Sequence, residues 1–167
     1  MTKPETIDLA TRVLNRLRGR GAMMVTAESC TGGLIAGALT AVAGSSDVVW
    51  GGFVTYADQA KTAMIGVDAS LLGPGGPGAV SQEVARAMAE GALGAAHAAD
   101  ERVTFAVSVT GIAGPGGGSA KKPVGLVHFA LATGSGTRHV ERRFGDRGRA
   151  EIRELSVREA LRMLLEA

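Results

Sequence analysis

The sequence has 167 residues, of which 46% are hydrophobic and 20% charged, a balance typical of a globular domain with its own core. A net charge of +2 and an aromatic content of 4% exclude a strongly basic or base-stacking nucleic-acid surface. One cysteine excludes an internal disulfide and favours a reducing, cytoplasmic setting. No apolar run is long enough to cross a membrane. We therefore expect a single domain over residues 1–167, with no nucleic-acid or membrane partner.

The N-terminal segment predicts a helix whose role is packing. Residues 2–5 combine a capping-box pattern with an early proline, which favours a helix start. Apolar residues recur at helical spacing as far as Leu17. Gly19 and Gly21 end the helix.

The next segment predicts a buried strand that turns sharply into a helix. The strand is Met23 to Thr26, the turn carries polar residues at 28–31, and a small-residue helix follows at 34–42. Such a turn lies at the carboxyl end of a sheet, where open α/β folds bind ligands. Ser29 is therefore a candidate nucleophile, with nearby amides as an oxyanion hole. The alternative is that Ser29 or Thr31 only caps the helix.

A second strand is predicted over residues 48–55, and a short helix follows to about Ile65. Tyr56 and Lys61 are the polar residues of interest here. Taken alone, Lys61 fits a solvated helix lysine and Tyr56 a strand-end aromatic.

Residues 72–78 contain a literal GxGxxG pattern, which we interpret as a connector. No strand leads into it and two prolines interrupt it, so it does not fit a dinucleotide site. Ser81 then predicts the cap of a helix that runs to about Ala98.

The last third predicts a strand at 103–109, a Gly-rich loop at 110–118 able to approach an anion, a hairpin, and a helix at 148–166. An SxxK spacing from Ser119 to Lys122 lies in Gly-rich sequence followed by a proline, and we attribute it to chance. The arginines of the last helix are expected to lie mostly in solvent.

The candidate base is a lysine. No cluster of histidines or other ligands has metal-binding spacing, so we expect no metal. None of the three histidines lies beside Ser29 in sequence. A lysine whose pKa is lowered by burial is able to take a proton from a serine hydroxyl.

Five segments in order resemble the C-terminal domain of the competence/damage-inducible CinA family, over about residues 7–165. Stand-alone members of that family are nicotinamide-nucleotide amidohydrolases, which deamidate nicotinamide mononucleotide (NMN). The sequence lacks a counterpart of the family's N-terminal domain, so we expect the stand-alone form. The segments are AESCTGG (27–33), GGFVTYADQAK (51–61), GAVSQEVARAMAEG (78–91), TGIAGPGGGSAKKPVG (110–125) and FGDR (144–147).

The resemblance implies a three-layer α/β/α fold with a mixed, mostly parallel sheet of about five strands. It implies a Ser29–Lys61 catalytic pair with Tyr56 beside it, an acyl-enzyme route and no cofactor. It also implies a homo-oligomer, a dimer or larger. The substrate-binding residues that it implies are Thr31, Gly32, Gly33, Thr110, Gly111 and Arg147.

Two departures from the family pattern bear on activity. Asp58-Gln59 stands where members often carry Asn-Glu, and an inward Asp58 would raise the pKa of Lys61 and weaken the base. The 72–78 loop is longer than usual and alters access to the pocket. The sequence leaves open the selectivity among NMN, nicotinamide riboside and nicotinamide.

Two rival hypotheses remain. Cys30 with Glu28 and Lys61 would form an alternative amide-cleaving set, although a cysteine is more often a small buried residue. A non-catalytic pyridine-nucleotide-binding or protein-interaction module is the rival from a different class.

Overall fold

The computed structural model describes residues 3–167 and contains one five-stranded sheet flanked by helices. The strands are β1 (Met23–Glu28), β2 (Val49–Val54), β3 (Val103–Gly111), β4 (Leu126–Thr133) and β5 (Gly136–Arg143). The helices are α1 (Pro4–Gly19), α2 (Leu34–Thr40), α3 (Asp58–Ile65), α4 (Ala69–Leu72), α5 (Gln82–Ala99) and α6 (Arg149–Leu165), with a 3₁₀ turn at Ser45–Asp47.

The sheet is mixed, with the strand order β2-β1-β3-β4-β5. Strand β1 pairs in parallel with both β2 and β3, whereas β4 is antiparallel to β3 and β5. Only β4 therefore runs against the other strands. The predicted mixed, mostly parallel sheet and the predicted C-terminal hairpin are both confirmed.

Each face of the sheet carries its own apolar cluster, which gives three layers. Helices α1, α2 and α6 contribute to the cluster on one face, and α5 with the end of α3 contributes to the cluster on the other. Leu14 of α1 and Leu161 of α6 are almost fully buried; full burial of such a side chain contributes about 1.5–3 kcal/mol. Strand β1, buried along its whole length, separates the two clusters.

Helix boundaries differ from the predictions in small ways. Helix α1 begins at Pro4 with Lys3 as its N-cap residue, and Thr2 of the capping-box pattern lies outside the described residues. Helix α2 ends at Thr40 rather than at residue 42. The short helix α4 was not predicted. The Ser81 hydroxyl caps α5 by accepting from the Val84 N–H at 3.2 Å, as predicted.

The topology brings several polar segments to one edge of the sheet. Strands β1, β2 and β3 are parallel, so the residues that follow them lie at the same edge. The residues after β5 and the start of α6 lie there too, since β5 runs in the same direction as β3.

None of the helices within residues 3–167 has the length and apolar character needed to cross a bilayer.

Candidate active site

The turn after β1 is fixed by Glu28, a residue that the sequence analysis gave only a minor part. Its carboxylate is fully buried and accepts four hydrogen bonds. The donors are the Thr31 hydroxyl at 2.7 Å and the N–H groups of Gly33, Ile35 and Ala36 at 3.0, 3.0 and 2.8 Å. The negative charge thus faces the positive end of α2. An acidic residue just before a helix start was the available signal.

Glu28 therefore takes the role that the alternative hypothesis gave to Ser29 or Thr31. Neither hydroxyl accepts a hydrogen bond from the first turn of α2; the N-cap residue is Gly33, which adopts a left-handed conformation. The Ser29 hydroxyl is consequently left on the other side of the turn.

The structure brings Ser29 and Lys61 together. The Lys61 Nζ lies 3.2 Å from the Ser29 Oγ, across 32 residues of sequence. Lys61 is 1% exposed and Ser29 is 9% exposed. The interpretation of Lys61 as a solvated helix lysine is therefore wrong, because the first turn of α3 directs its side chain inward beneath the end of β2.

Backbone carbonyl oxygens hold the Lys61 amine in place. Its Nζ lies 2.9 Å from the Thr55 carbonyl oxygen and 3.2 Å from that of Tyr56. Burial lowers the pKa of Lys61 from its ordinary value, and the Asp58 carboxylate, 3.6 Å away, acts in the opposite direction. A neutral amine has two N–H groups and one lone pair. If the two N–H groups of the neutral amine donate to the two carbonyls, the lone pair is left to face the Ser29 hydroxyl.

Only some of the backbone amides near Ser29 are free to bind a developing oxyanion. The N–H of Gly33 is committed to Glu28, and that of Gly32 to the Ser29 carbonyl. Among residues 3–167, the hydrogen bonds leave the N–H groups of Cys30 and Thr31 without a protein acceptor. The amide after a nucleophilic serine is the usual first donor of an oxyanion hole.

Cys30 is poorly suited to the nucleophile's role. Its side chain belongs to the apolar cluster shared by α1, α2 and α6. Burial raises the pKa of the Cys30 thiol to about 12, so the thiolate that attacks carbonyl carbons is scarce at neutral pH. The geometry therefore favours Ser29 over the Cys30 rival.

Two arginines of α6 border the site, and the sequence analysis left both among the solvated ones. Arg149 donates to the Tyr56 hydroxyl at 2.9 Å and to the Gly114 carbonyl at 3.0 Å. Arg153 donates to the Thr31 carbonyl at 2.9 Å, and its Nε is buried with no partner among the described residues. The tertiary packing of α6 against the turn decides this placement, and no local pattern signals it.

Arg147 is engaged elsewhere. Its Nε donates to the Phe144 carbonyl at 3.0 Å, and its Nη1 lies 3.5 Å from Glu151. Tyr56 is 58% exposed; its backbone carbonyl contacts Lys61, whereas its hydroxyl contacts Arg149.

The Gly-rich segment after β3 lies beside the pair. Strand β3 continues to Gly111 next to β1, and the Ser29 N–H donates to the Val109 carbonyl at 3.0 Å. The Thr110 hydroxyl donates to the Ala79 carbonyl at 2.8 Å. This bond ties the 72–78 connector and its continuation to the site.

Within residues 3–167, no group of three or more His, Cys, Asp or Glu side chains is arranged to hold a metal ion. His128 Nδ1 and His139 Nε2 lie 2.9 Å apart on β4 and β5. Burial is the main cause that lowers the pKa of both. Neither histidine is a hydrogen-bond partner of the Ser29 hydroxyl, which contacts Lys61.

Comparison with curated proteins finds relatives matched over almost their whole length and longer relatives matched over part of it. The nicotinamide-nucleotide amidohydrolase PncC of Escherichia coli K12 is 46% identical over 164 residues, which are 98% of this chain and 95% of that protein. A CinA-like protein of Synechococcus is 52% identical over 93% of this chain but only 36% of its own length. The chain thus spans about a third of the length of the first CinA-like relatives that it matches.

Solved structures match along the whole chain. The competence/damage-inducible protein CihA of Agrobacterium tumefaciens superposes with a TM-score of 0.92 at 52% identity, over 100% of this chain and 99% of that one. A CinA superfamily protein of Klebsiella pneumoniae gives 0.87 at 35% identity, over 96% of each chain. The family model described as the CinA C-terminal domain matches residues 6–167. The chain that carries the Ser29–Lys61 pair therefore belongs to the CinA C-terminal domain family.

Proposed function

We propose that this protein is an amidohydrolase that converts NMN and water to nicotinic acid mononucleotide and ammonia. The observation that carries the proposal is the 3.2 Å contact between the Lys61 amine and the Ser29 hydroxyl, with the amine buried. The printed name of the Escherichia coli relative supports the substrate. We propose residues 1–167 as one catalytic domain that needs neither metal nor cofactor.

The first step is attack by Ser29. The Lys61 lone pair removes the hydroxyl proton as the Ser29 Oγ bonds to the carboxamide carbon of the nicotinamide ring. A tetrahedral oxyanion forms, and the N–H groups of Cys30 and Thr31, which have no acceptor among residues 3–167, are proposed to bind it. The resulting ammonium donates to the Thr55 and Tyr56 carbonyls, which hold it in position.

The second step releases ammonia. The proton on Lys61 moves to the amide nitrogen, the C–N bond breaks, and an acyl-enzyme ester on Ser29 remains. Water then attacks the ester with Lys61 again as the base, which gives the free carboxylate and restores the serine. Tyr56, whose hydroxyl accepts a hydrogen bond from Arg149, is proposed to orient the leaving group.

The substrate's phosphate needs a cation. Arg149, together with Arg153, is a better candidate than Arg147, because Arg149 contacts Tyr56 and Arg153 contacts Thr31, whereas the contacts of Arg147 are to Phe144 and Glu151. A guanidinium binds phosphate through two parallel N–H donors. The backbones of Gly32, Gly33, Thr110 and Gly111 are proposed to line the remaining walls.

The test is ammonia release by the pure protein from NMN, nicotinamide riboside and nicotinamide, assayed side by side. We expect release from NMN, and loss of release in Ser29→Ala with ligand binding retained. Ser46→Ala, on an exposed turn, is the matched control and should keep full activity. Full activity of Ser29→Ala would overturn the assignment. Loss of activity in Cys30→Ala, together with inactivation of the wild-type protein by carbamidomethylation at Cys30, would restore the cysteine rival.

Binding of NMN by the wild-type protein without ammonia release at any pH would favour the non-catalytic module instead. Release from nicotinamide riboside at the NMN rate would remove the phosphate from the recognition scheme. The three substrates therefore separate activity from selectivity in one experiment.

We also propose a homo-oligomer, built by pairing of β2 with its copy in a second chain. Strand β2 is an edge strand, and residues 48–57 carry no charge, so two copies face each other without like-charge repulsion. Trp50 and Val54 are exposed along it. Light scattering on wild type and on Trp50→Lys should give a smaller particle for the variant; an equal mass would contradict the pairing.

The single free cysteine fits a cytoplasmic location.

A further inference from the structure

One charged side chain contacts the reacting amine without having a part in the mechanism above. Asp58 opens α3, and its Oδ1 lies 3.6 Å from the Lys61 Nζ, three residues further along the helix. The two side chains differ sharply in exposure: Lys61 is 1% exposed, whereas the Asp58 side chain is 51% exposed. Asp58 therefore joins a buried base to the surface of the protein.

The groups that face the Lys61 amine come from three segments. From the turn after β1 come the Ser29 hydroxyl and the protonated Cys30 thiol; from the end of β2 come the Thr55 and Tyr56 carbonyls; from α3 comes Asp58. Asp58 is the only carboxylate within 4.0 Å of the amine among residues 3–167. The Glu28 carboxylate instead accepts hydrogen bonds from the N–H groups of Gly33, Ile35 and Ala36.

We propose that Asp58 is a positioning residue that sets the pH at which Lys61 acts and stabilises its protonated form during attack. The inference rests on the proposed function, because it assigns Lys61 the role of base. When the Ser29 O–H bond breaks, an N–H bond forms at Lys61 and a positive charge appears on the amine. The Asp58 carboxylate is attracted to that charge.

This attraction has two opposite kinetic effects. In the free enzyme it favours the ammonium, so fewer molecules carry a free base at neutral pH. In the transition state it favours proton transfer, because a stronger base removes the serine proton more readily. Removal of the charge should therefore raise the rate at low pH and lower it at high pH.

The test is the pH profile of kcat/KM for ammonia release by wild type and Asp58→Asn. We expect the acidic limb of the variant to move to lower pH. Below the wild-type midpoint its kcat/KM should rise by about three- to tenfold, a range set by an opposite charge at this distance with partial solvent screening. On the alkaline plateau it should fall by about two- to threefold, since only part of the change in basicity reaches the transition state. The two profiles should cross.

A structural role alone gives a different pattern. Damage to the turn would lower kcat/KM at every pH and leave the midpoint where it is, and that result would overturn the proposal. Asp8→Asn, which removes a comparable exposed charge on α1, is the matched control and should leave the profile unchanged. Added salt should move the wild-type limb toward that of Asp58→Asn, because it screens a half-exposed carboxylate.

A second measurement does not depend on NMN turnover. The sequence has four lysines, so ¹³C-labelled lysine side chains give few signals, and the signal absent from Lys61→Met identifies Lys61. We expect this amine to titrate at lower pH in Asp58→Asn than in wild type. Identical titrations would overturn the role of Asp58 even if ammonia release is observed. A shifted titration without ammonia release would support the electrostatic role of Asp58 and refute only the proposed reaction.

Discussion

The two sides of the turn after β1 each hold a buried ionisable side chain, and the two side chains have different roles. On the α2 side, Glu28 has all its strong acceptor directions filled by one hydroxyl and three backbone N–H groups. On the other side, Lys61 has two carbonyls and a hydroxyl as near neighbours, and burial lowers its pKa. Both side chains are almost fully inaccessible.

The difference teaches that burial of a charge does not by itself identify a reactive group. A carboxylate at a helix N-terminus is held in its charged form by the amides and the helix dipole, and it serves the fold. An amine that lacks enough compensation for its burial is pushed toward its neutral form and becomes a base. Removal of each group should thus damage a different property.

The largest expected effect is on catalysis by Lys61. Lys61→Met keeps the length and apolar stem of the side chain but removes the base, and kcat/KM for ammonia release should fall by about 10³-fold or more. Lys121→Met, at an exposed position, is the control and should retain activity. Less than a tenfold loss in Lys61→Met would mean that another group removes the serine proton.

The next effect is on stability at Glu28. Glu28→Gln leaves one oxygen but turns an N–H₂ group toward backbone N–H donors, so the free energy of unfolding should fall by about 2–3 kcal/mol. Urea denaturation measures it, with Glu90→Gln on the exposed face of α5 expected within about 0.5 kcal/mol of wild type. An unchanged unfolding midpoint together with abolished activity would mean that Glu28 serves catalysis rather than stability.

The arginines extend the same comparison to the substrate. Arg149→Ala should raise KM for NMN by about 10- to 100-fold with a smaller change in kcat, since one charge-assisted contact to phosphate is lost. Arg147→Ala should change KM by less than about threefold, because its guanidinium is bonded to Phe144 and Glu151. Steady-state kinetics of both variants measure this, and the reverse order would return Arg147 to the phosphate site.

The smallest effect is on the pH dependence of stability. Because the pKa of Lys61 is lowered in the folded state, the unfolded chain binds more protons between the folded and unfolded pKa values. Stability should therefore rise with pH across that window more steeply in wild type than in Lys61→Met. Urea denaturation from neutral pH to pH 10 measures it. A slope of opposite sign would mean that Lys61 is held as the ammonium.

The sequence determined the order of the strands and of the longer helices, the mixed sheet and the position of the turn, since these follow from local periodicity and from five motif segments in order. The pattern of the turn made Ser29 a candidate nucleophile, and the resemblance to the CinA family added Lys61, which by itself fitted a solvated helix lysine. It did not separate Ser29 from the capping role that Glu28 fills, since both residues precede the same helix by a few positions.

Tertiary structure alone decided which partners those residues meet. Lys61 is a base candidate because α3 packs its first turn against the end of β2, and Arg149 borders the site because α6 crosses the turn after β1. The Lys61–Ser29, Arg149–Tyr56 and Arg153–Thr31 contacts join residues that are 32, 93 and 122 positions apart. Local patterns describe which side of an element is apolar, whereas the charge and burial around a side chain depend on every element packed against it.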